Sequence, residues 1–152
     1  MINPFILSPM EQIRIWRELR DALDDKNTQE RLKLISDYWW QAPIVTFCLD
    51  YDKPETWPTP WEVVYFNGYD TTARALMMAE TFILYNELYM DSIELLYIKD
   101  FVEEDLLMIL VVEGHVLNHQ YKRILTLDEL AGHYTIINRY YKDSAGWKIT
   151  NA

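Results

Sequence analysis

Apolar residues along this chain change their spacing near Asp91, from helical in the first part to short alternating or continuous runs in the second. Ile15, Trp16, Leu19, Ala22 and Leu23 fall within about a half-turn arc of a helix. They follow Ser8-Pro9-Met10-Glu11, a capping box with proline at the first helical position. A first helix is expected there, ending where Asp24-Asp25-Lys26-Asn27 breaks the stripe. A second, from Thr28 to about Trp40, places Leu32, Ile35 and Trp39 on one face before Pro43 stops it. The two are expected to pair.

Ile44 to Tyr51 reads as a short extended piece leading into Trp57-Pro58-Thr59-Pro60-Trp61-Glu62. Pro58 holds Trp57 out of helical geometry, because the proline ring clashes with an α-conformation in the residue before it. Thr59 and Glu62 form a second capping box, and Asn67-Gly68 suits a left-handed helix end. Both indoles are expected to clamp the start of this short helix, a packing staple; an aromatic shelf for a ligand is the alternative. A third long helix runs from Asp70 to about Asn86. Ala73, Leu76, Met77, Ile83 and Leu84 face one way and Ala75, Met78, Phe82 and Tyr85 the other. An element apolar on nearly all sides belongs in the middle of a fold.

Ile93 to Lys99 and Asp105 to Val112 are rich in branched and aromatic residues, Glu113-Gly114 is a turn signal, and His115 to Asn118 gives a short third strand. Thr126-Leu127-Asp128-Glu129 is a third capping box, opening a helical turn or two that ends by Gly132. Tyr134 to Tyr141 and Trp147 to Thr150 flank Asp143-Ser144-Ala145-Gly146 as a last hairpin. Helices first and strands afterwards indicate an α+β fold. N-terminal helices and a buried central helix are expected to pack on an antiparallel sheet from the C-terminal half, in a single domain over 1–152.

Composition narrows the function. The 152 residues are 50% hydrophobic and 14% aromatic, ample for a core, and 14 basic against 24 acidic side chains give a net charge of −10. Such a charge repels phosphate backbones, and the basic residues are scattered, so no direct nucleic-acid partner is expected. The longest apolar run, Leu106 to Val112, is far below the roughly 18 residues of a membrane span, and nothing near Met1 resembles a signal peptide. No membrane association is expected.

Phosphate loops, dinucleotide fingerprints and zinc-ligand clusters are absent from the sequence, so no cofactor and no metal is expected. Three histidines occur, His115, His119 and His133, and the one cysteine, Cys48, lies in the apolar run Val45-Thr46-Phe47-Cys48-Leu49. A thiol there has no basic neighbour to lower its pKa and reads as a buried hydrophobe. Glu80 falls on an apolar face of the central helix, where a carboxylate needs a partner or a raised pKa. It is the best acid/base candidate on local grounds, beside the structural reading of an ion pair with Arg or a tyrosine hydroxyl. Cys48, Glu80 and His115 are the residues an enzyme reading would use. Eleven Tyr and six Trp exceed the needs of a core of this size, which points to interface contacts. Trp57, Trp61, Tyr140 and Tyr141 are the candidate contact residues.

A buried helix entered through a capped turn and followed by an antiparallel sheet resembles the core of transglutaminase-like and papain-like cysteine enzymes, over roughly Trp61 to Tyr121. In that family a cysteine opens the central helix, a histidine begins the next-but-one strand, and an acid stands on the neighbouring strand. The corresponding positions here are Asp70, Glu104 or Asp105, and Asn118. The resemblance thus implies the fold without its chemistry, since facing carboxylates generate no nucleophile.

The segments Tyr38-Trp39-Trp40-Gln41-Ala42-Pro43, Leu49-Asp50-Tyr51-Asp52 and Trp57 to Glu62 resemble small proteins of large contractile-tailed phages of cyanobacteria. That resemblance implies a phage origin, in the virion or the host cytoplasm, and no established activity. The expectation is a non-catalytic phage-type protein whose partner is a phage structural protein or a host protein. A cysteine- or carboxylate-based hydrolase or transferase of transglutaminase-like type is the alternative.

Overall fold

The computed structural model describes residues 3–45 and 49–151. α1 (Pro9–Asp21) begins where the sequence places it: Ser8 Oγ accepts from the Glu11 amide and donates to the Glu11 carboxylate. α2 (Thr28–Trp39) starts at Thr28 as expected and is capped by Asn27, whose reciprocal box with Glu30 the sequence reading does not name. α3 (Pro60–Phe66) has the Thr59–Glu62 box, and Asn67 ends it in the left-handed region at φ 49°. The Asn67 side chain then donates to the Phe5 carbonyl, tying this end to a short 3₁₀ turn before α1.

α4 (Thr71–Tyr85) is buried from Thr72 to Ile83. It touches α1, α2 and α3 on one side and β1, β2 and β3 on the other. Its all-round apolar character follows from this position between two layers. Trp16, Trp39, Phe82, Leu76, Met77 and Met78 are among the fully buried side chains of this main core.

Among the described residues, six strands form one antiparallel sheet in the order β4-β3-β2-β1-β5-β6. They are β1 (Ile93–Asp100), β2 (Asp105–Val112), β3 (His115–Gln120), β4 (Arg123–Thr126), β5 (Tyr134–Asp143) and β6 (Gly146–Asn151). The fold is therefore α+β, with the sheet in the C-terminal half. Only the β1–β5 pairing departs from chain order, and the short α5 (Leu127–Leu130) lies in the connection between β4 and β5.

The structure adds two features to the sequence reading. β4 is a four-residue edge strand, too short to announce itself by alternation. The sheet face away from α4 also carries a small core of Leu96, Ile98, Ile109, Val111, Val116 and Leu125, with Leu130 of α5 packed among them. Apolar burial on both faces explains why β2 reads as a continuous apolar run from Met108 to Val112. Ile44 makes an isolated parallel bridge to Tyr69, and Asp50 closes a turn onto the Asp52 amide.

Candidate functional site

The start of α4 is the place the fold resemblance singles out. Asp70 caps the helix there and spends both oxygens on backbone: Oδ1 accepts from the Ala73 amide at 2.6 Å and Oδ2 from the Leu49 amide at 3.1 Å. Across from it stands Asn118 on β3, with φ 68°. Asparagine tolerates this left-handed conformation, and the irregular β3–β4 register between Val116 and Gln120 accompanies it. The side-chain amide of Asn118 donates to the Thr71 and Met108 carbonyls, each at 2.8 Å. Its Oδ1 accepts from Arg74 Nε at 2.6 Å.

Arg74, one turn into α4, is 6% exposed, and its guanidinium lies over the Trp40 ring, 3.6 Å from the ring centre. Burial lowers its pKa to about 10 although the Asp70 charge opposes the shift, so it remains cationic at neutral pH. A cavity of about 270 Å³ opens beside it, lined by Trp40, Thr71, Arg74, Asp105, Asn118 and His119, among others. Asp105 and Asn118 thus meet the helix start as the fold resemblance expects. Glu104 stands in the exposed β1–β2 turn. In the sequence Arg74 is only an interruption of an apolar helix; a lone cation one turn after a capping aspartate was the available signal.

A histidine–carboxylate pair adjoins this cavity. His119 Nε2 lies 2.5 Å from Asp100 Oδ2, with both side chains almost wholly buried. Burial alone raises the Asp100 pKa, but the Glu103 and Val102 amides and the His119 ring outweigh it and hold the carboxyl below its usual range. The facing carboxylate places the imidazole proton on Nε2, leaving Nδ1 enclosed without a partner among the described residues. His119 and Asp100 also line a second cavity of about 160 Å³ with Arg123, Glu129 and His133.

Of the residues of the enzyme reading, Glu80 and His115 are not brought together. Glu80 is 3% exposed and accepts from Lys142 Nζ at 2.7 and 2.9 Å and from Trp147 Nε1 at 2.7 Å. Its partners are thus Lys and Trp, where the sequence suggested Arg or Tyr. His115 pairs with Gln29 at 3.0 Å on β3, three strand spacings from the β5 that carries Lys142, or roughly 14 Å. Cys48 lies outside the described residues.

The aromatic candidates divide. Trp57 turns toward Tyr140 and Trp147, with ring centres 5.0 and 6.0 Å away, and donates to the Asp50 carbonyl. Trp61 leans on Trp16 at 5.4 Å, and the Arg20 guanidinium lies 4.5 Å from the Trp16 ring and 6.0 Å from that of Trp61. The two indoles therefore serve different contacts and do not close over the start of α3 together, because Trp57 lies in extended backbone ahead of Pro58 while Trp61 is in the first turn of the helix. Trp61 keeps 41% of its surface exposed. Tyr140 is 0% exposed, its hydroxyl donating to the Tyr51 carbonyl, so it presents no surface to a partner; Tyr141, next along β5, points outward.

No protein-family profile and no curated protein matches the sequence. Solved structures do match in fold. Legionella pneumophila LapG has a TM-score of 0.70 and 16% identity over 91% of this chain and 76% of LapG. The calcium-bound form of LapG gives 0.69 at the same identity, over 91% of this chain and 78% of that one. The EGTA-treated form gives 0.67, again at 16% identity, over 91% and 75%. At this identity the likeness to LapG is one of fold.

Proposed function

We propose that this chain is a non-catalytic binding protein on a transglutaminase-like framework, acting through protein–protein contacts. The observation that carries the reading is the state of the helix start. Asp70 is consumed as a cap, and Asn118 is held by three hydrogen bonds, one of them from a buried arginine. An acyl-transfer site needs a nucleophile and a base with a free path to it. Here the donors and acceptors are spent on holding the backbone and Arg74.

The surface around this point suits contact. Phe101 and Val102 in the β1–β2 turn, Leu106 on β2 and Tyr121 after β3 are all more than half exposed. Tyr121 meets Trp40 edge-on at 5.6 Å, which joins the apolar rim to the cavity wall. A phage origin, with a phage structural protein or a host protein as partner, rests on the resemblance of the Tyr38–Pro43, Leu49–Asp52 and Trp57–Glu62 segments. The fold likeness to LapG favours the hydrolase alternative, in which Cys48 would be the nucleophile.

The test is turnover. Incubation of the purified protein with a library of fluorogenic peptides, and separately with a glutaminyl substrate and an amine, is expected to give no product above background. Turnover that Cys48→Ser abolishes while leaving the melting temperature unchanged would overturn the binding reading.

A further inference from the structure

Arg74 carries five N–H donors, and one of them, on Nε, is spent on Asn118. Its terminal nitrogens have no acceptor among the described residues, and Arg74 lines the neighbouring 270 Å³ cavity. No carboxylate among the described residues forms an ion pair with it. A buried cation whose planar fork is held by Asn118 on one edge and by Trp40 on one face offers its other edge in a fixed direction. That geometry fits a planar, two-oxygen acceptor, because the guanidinium fork and a carboxylate make two parallel hydrogen bonds.

The lining narrows the class further. Glu103 and Asp105, both exposed, stand at the mouth of the same cavity. They repel a bare anion, and a phosphate dianion most of all, and attract a ligand with a positive group beside its carboxylate. A cavity of this volume lies just below the range of sites that enclose whole drug-sized ligands, so it suits an end group of something larger. The exposed Phe101, Val102, Leu106 and Tyr121 provide apolar surface for the remainder.

We infer that the Arg74 cavity is a receptor for the C-terminal carboxylate of a partner polypeptide that carries a basic residue next to its last one. The carboxylate takes the free edge of the guanidinium, and the basic side chain is held by Glu103 and Asp105. Asn118 and Trp40 are positioning residues that keep the fork aimed into the cavity. This specifies the contact proposed above and rests on that reading only for the partner being a protein.

Calorimetric titration of the full chain with an N-acetylated hexapeptide ending in Lys-Leu tests it. The free acid is expected to bind about tenfold to a hundredfold more tightly than the same peptide as its C-terminal amide, the loss expected of a charge-assisted pair. Arg74→Gln is expected to abolish that difference. Because Arg74 is buried, the second variant is the exposed double substitution Glu103→Gln, Asp105→Asn, which keeps the fold and is expected to weaken the Lys-Leu acid but not an Ala-Leu acid. Equal affinity for acid and amide, or competition by inorganic phosphate or free lysine at the peptide's own concentration, overturns the inference. The Cys48→Ser turnover assay is a separate readout, so the failure of one reading is distinguishable from the failure of the other.

Discussion

The Thr81 hydroxyl accepts from the indole N–H groups of Trp16 and Trp39, each at 2.9 Å, and donates to the Met77 carbonyl at 2.6 Å. Its donor and both acceptor sites are therefore filled, and α1, α2 and α4 share one buried polar atom. Thr81→Val keeps the shape and leaves two buried indole N–H groups unpaired, so a loss of about 2–5 kcal/mol is expected in urea denaturation. Thr81→Ser, which keeps the hydroxyl, is expected to lose well under half of that. Glu80 poses the same question with charge. It is satisfied threefold by Lys142 and Trp147, and Glu80→Ala leaves a mostly enclosed ammonium without its partner. A loss of about 3–5 kcal/mol is expected, with much of it recovered when Lys142→Met is added to Glu80→Met. A Glu80→Met, Lys142→Met protein as unstable as Glu80→Ala would show that packing, not the pair, decides this site.

Element ends are where the sequence was most explicit. Thr59 and Thr126 each form the two-way box that the Thr-x-x-Glu spacing predicts, and Asn67 takes the left-handed end. Each box contributes about 1 kcal/mol, measurable as the effect of Thr59→Ala on the melting curve. Asp70 has a double duty, since its second oxygen fixes the Leu49 amide. Asp70→Ala is therefore expected to cost more than Thr59→Ala, at about 2 kcal/mol, and to expose the Leu49 amide to faster hydrogen exchange. Trp61 sits in the first turn of α3 with two-fifths of its surface in solvent. Trp61→Ala is accordingly expected to cost about 1–2 kcal/mol, short of the 3–5 of a fully buried indole. The same denaturation series separates the two values.

At the scale of the molecule, stability in acid depends on Asp100, which joins the end of β1 to β3 through His119 and to the following turn through the Val102 and Glu103 amides. Its folded pKa lies below that of the unfolded chain. The stabilisation is therefore fully present above the unfolded value, near 3.9, and is lost as pH falls through the folded value. Asp100→Asn is expected to be less stable than the parent at neutral pH, and the gap is expected to narrow steadily below about pH 4. Stability curves in urea from pH 7 to pH 2 check this, and a gap that widens in acid would show that Asp100 is not the carboxylate concerned.

Periodicity and caps by themselves determined the helices, the five longer strands and the α+β class, because 3.6-residue and two-residue repeats are local properties that survive without knowledge of neighbours. They also singled out α4 as central, since an element apolar on all sides has no other place. Glu80 was legible as a buried carboxylate needing a partner. Which partner it found, Lys142 and Trp147 from more than sixty residues away, was decided only when β5 and β6 came to lie beside α4. The same holds for the division of Trp57 from Trp61 and for the burial of Tyr140, whose local patterns match those of exposed aromatics. The Arg74 cavity is the clearest case. Trp40, Arg74, Asp105 and Asn118 come from α2's end, α4, β2 and β3, and no spacing along the chain links them. Only the packing of helix start against sheet makes a confined cation with a free edge, because burial and juxtaposition belong to the folded chain and not to its order.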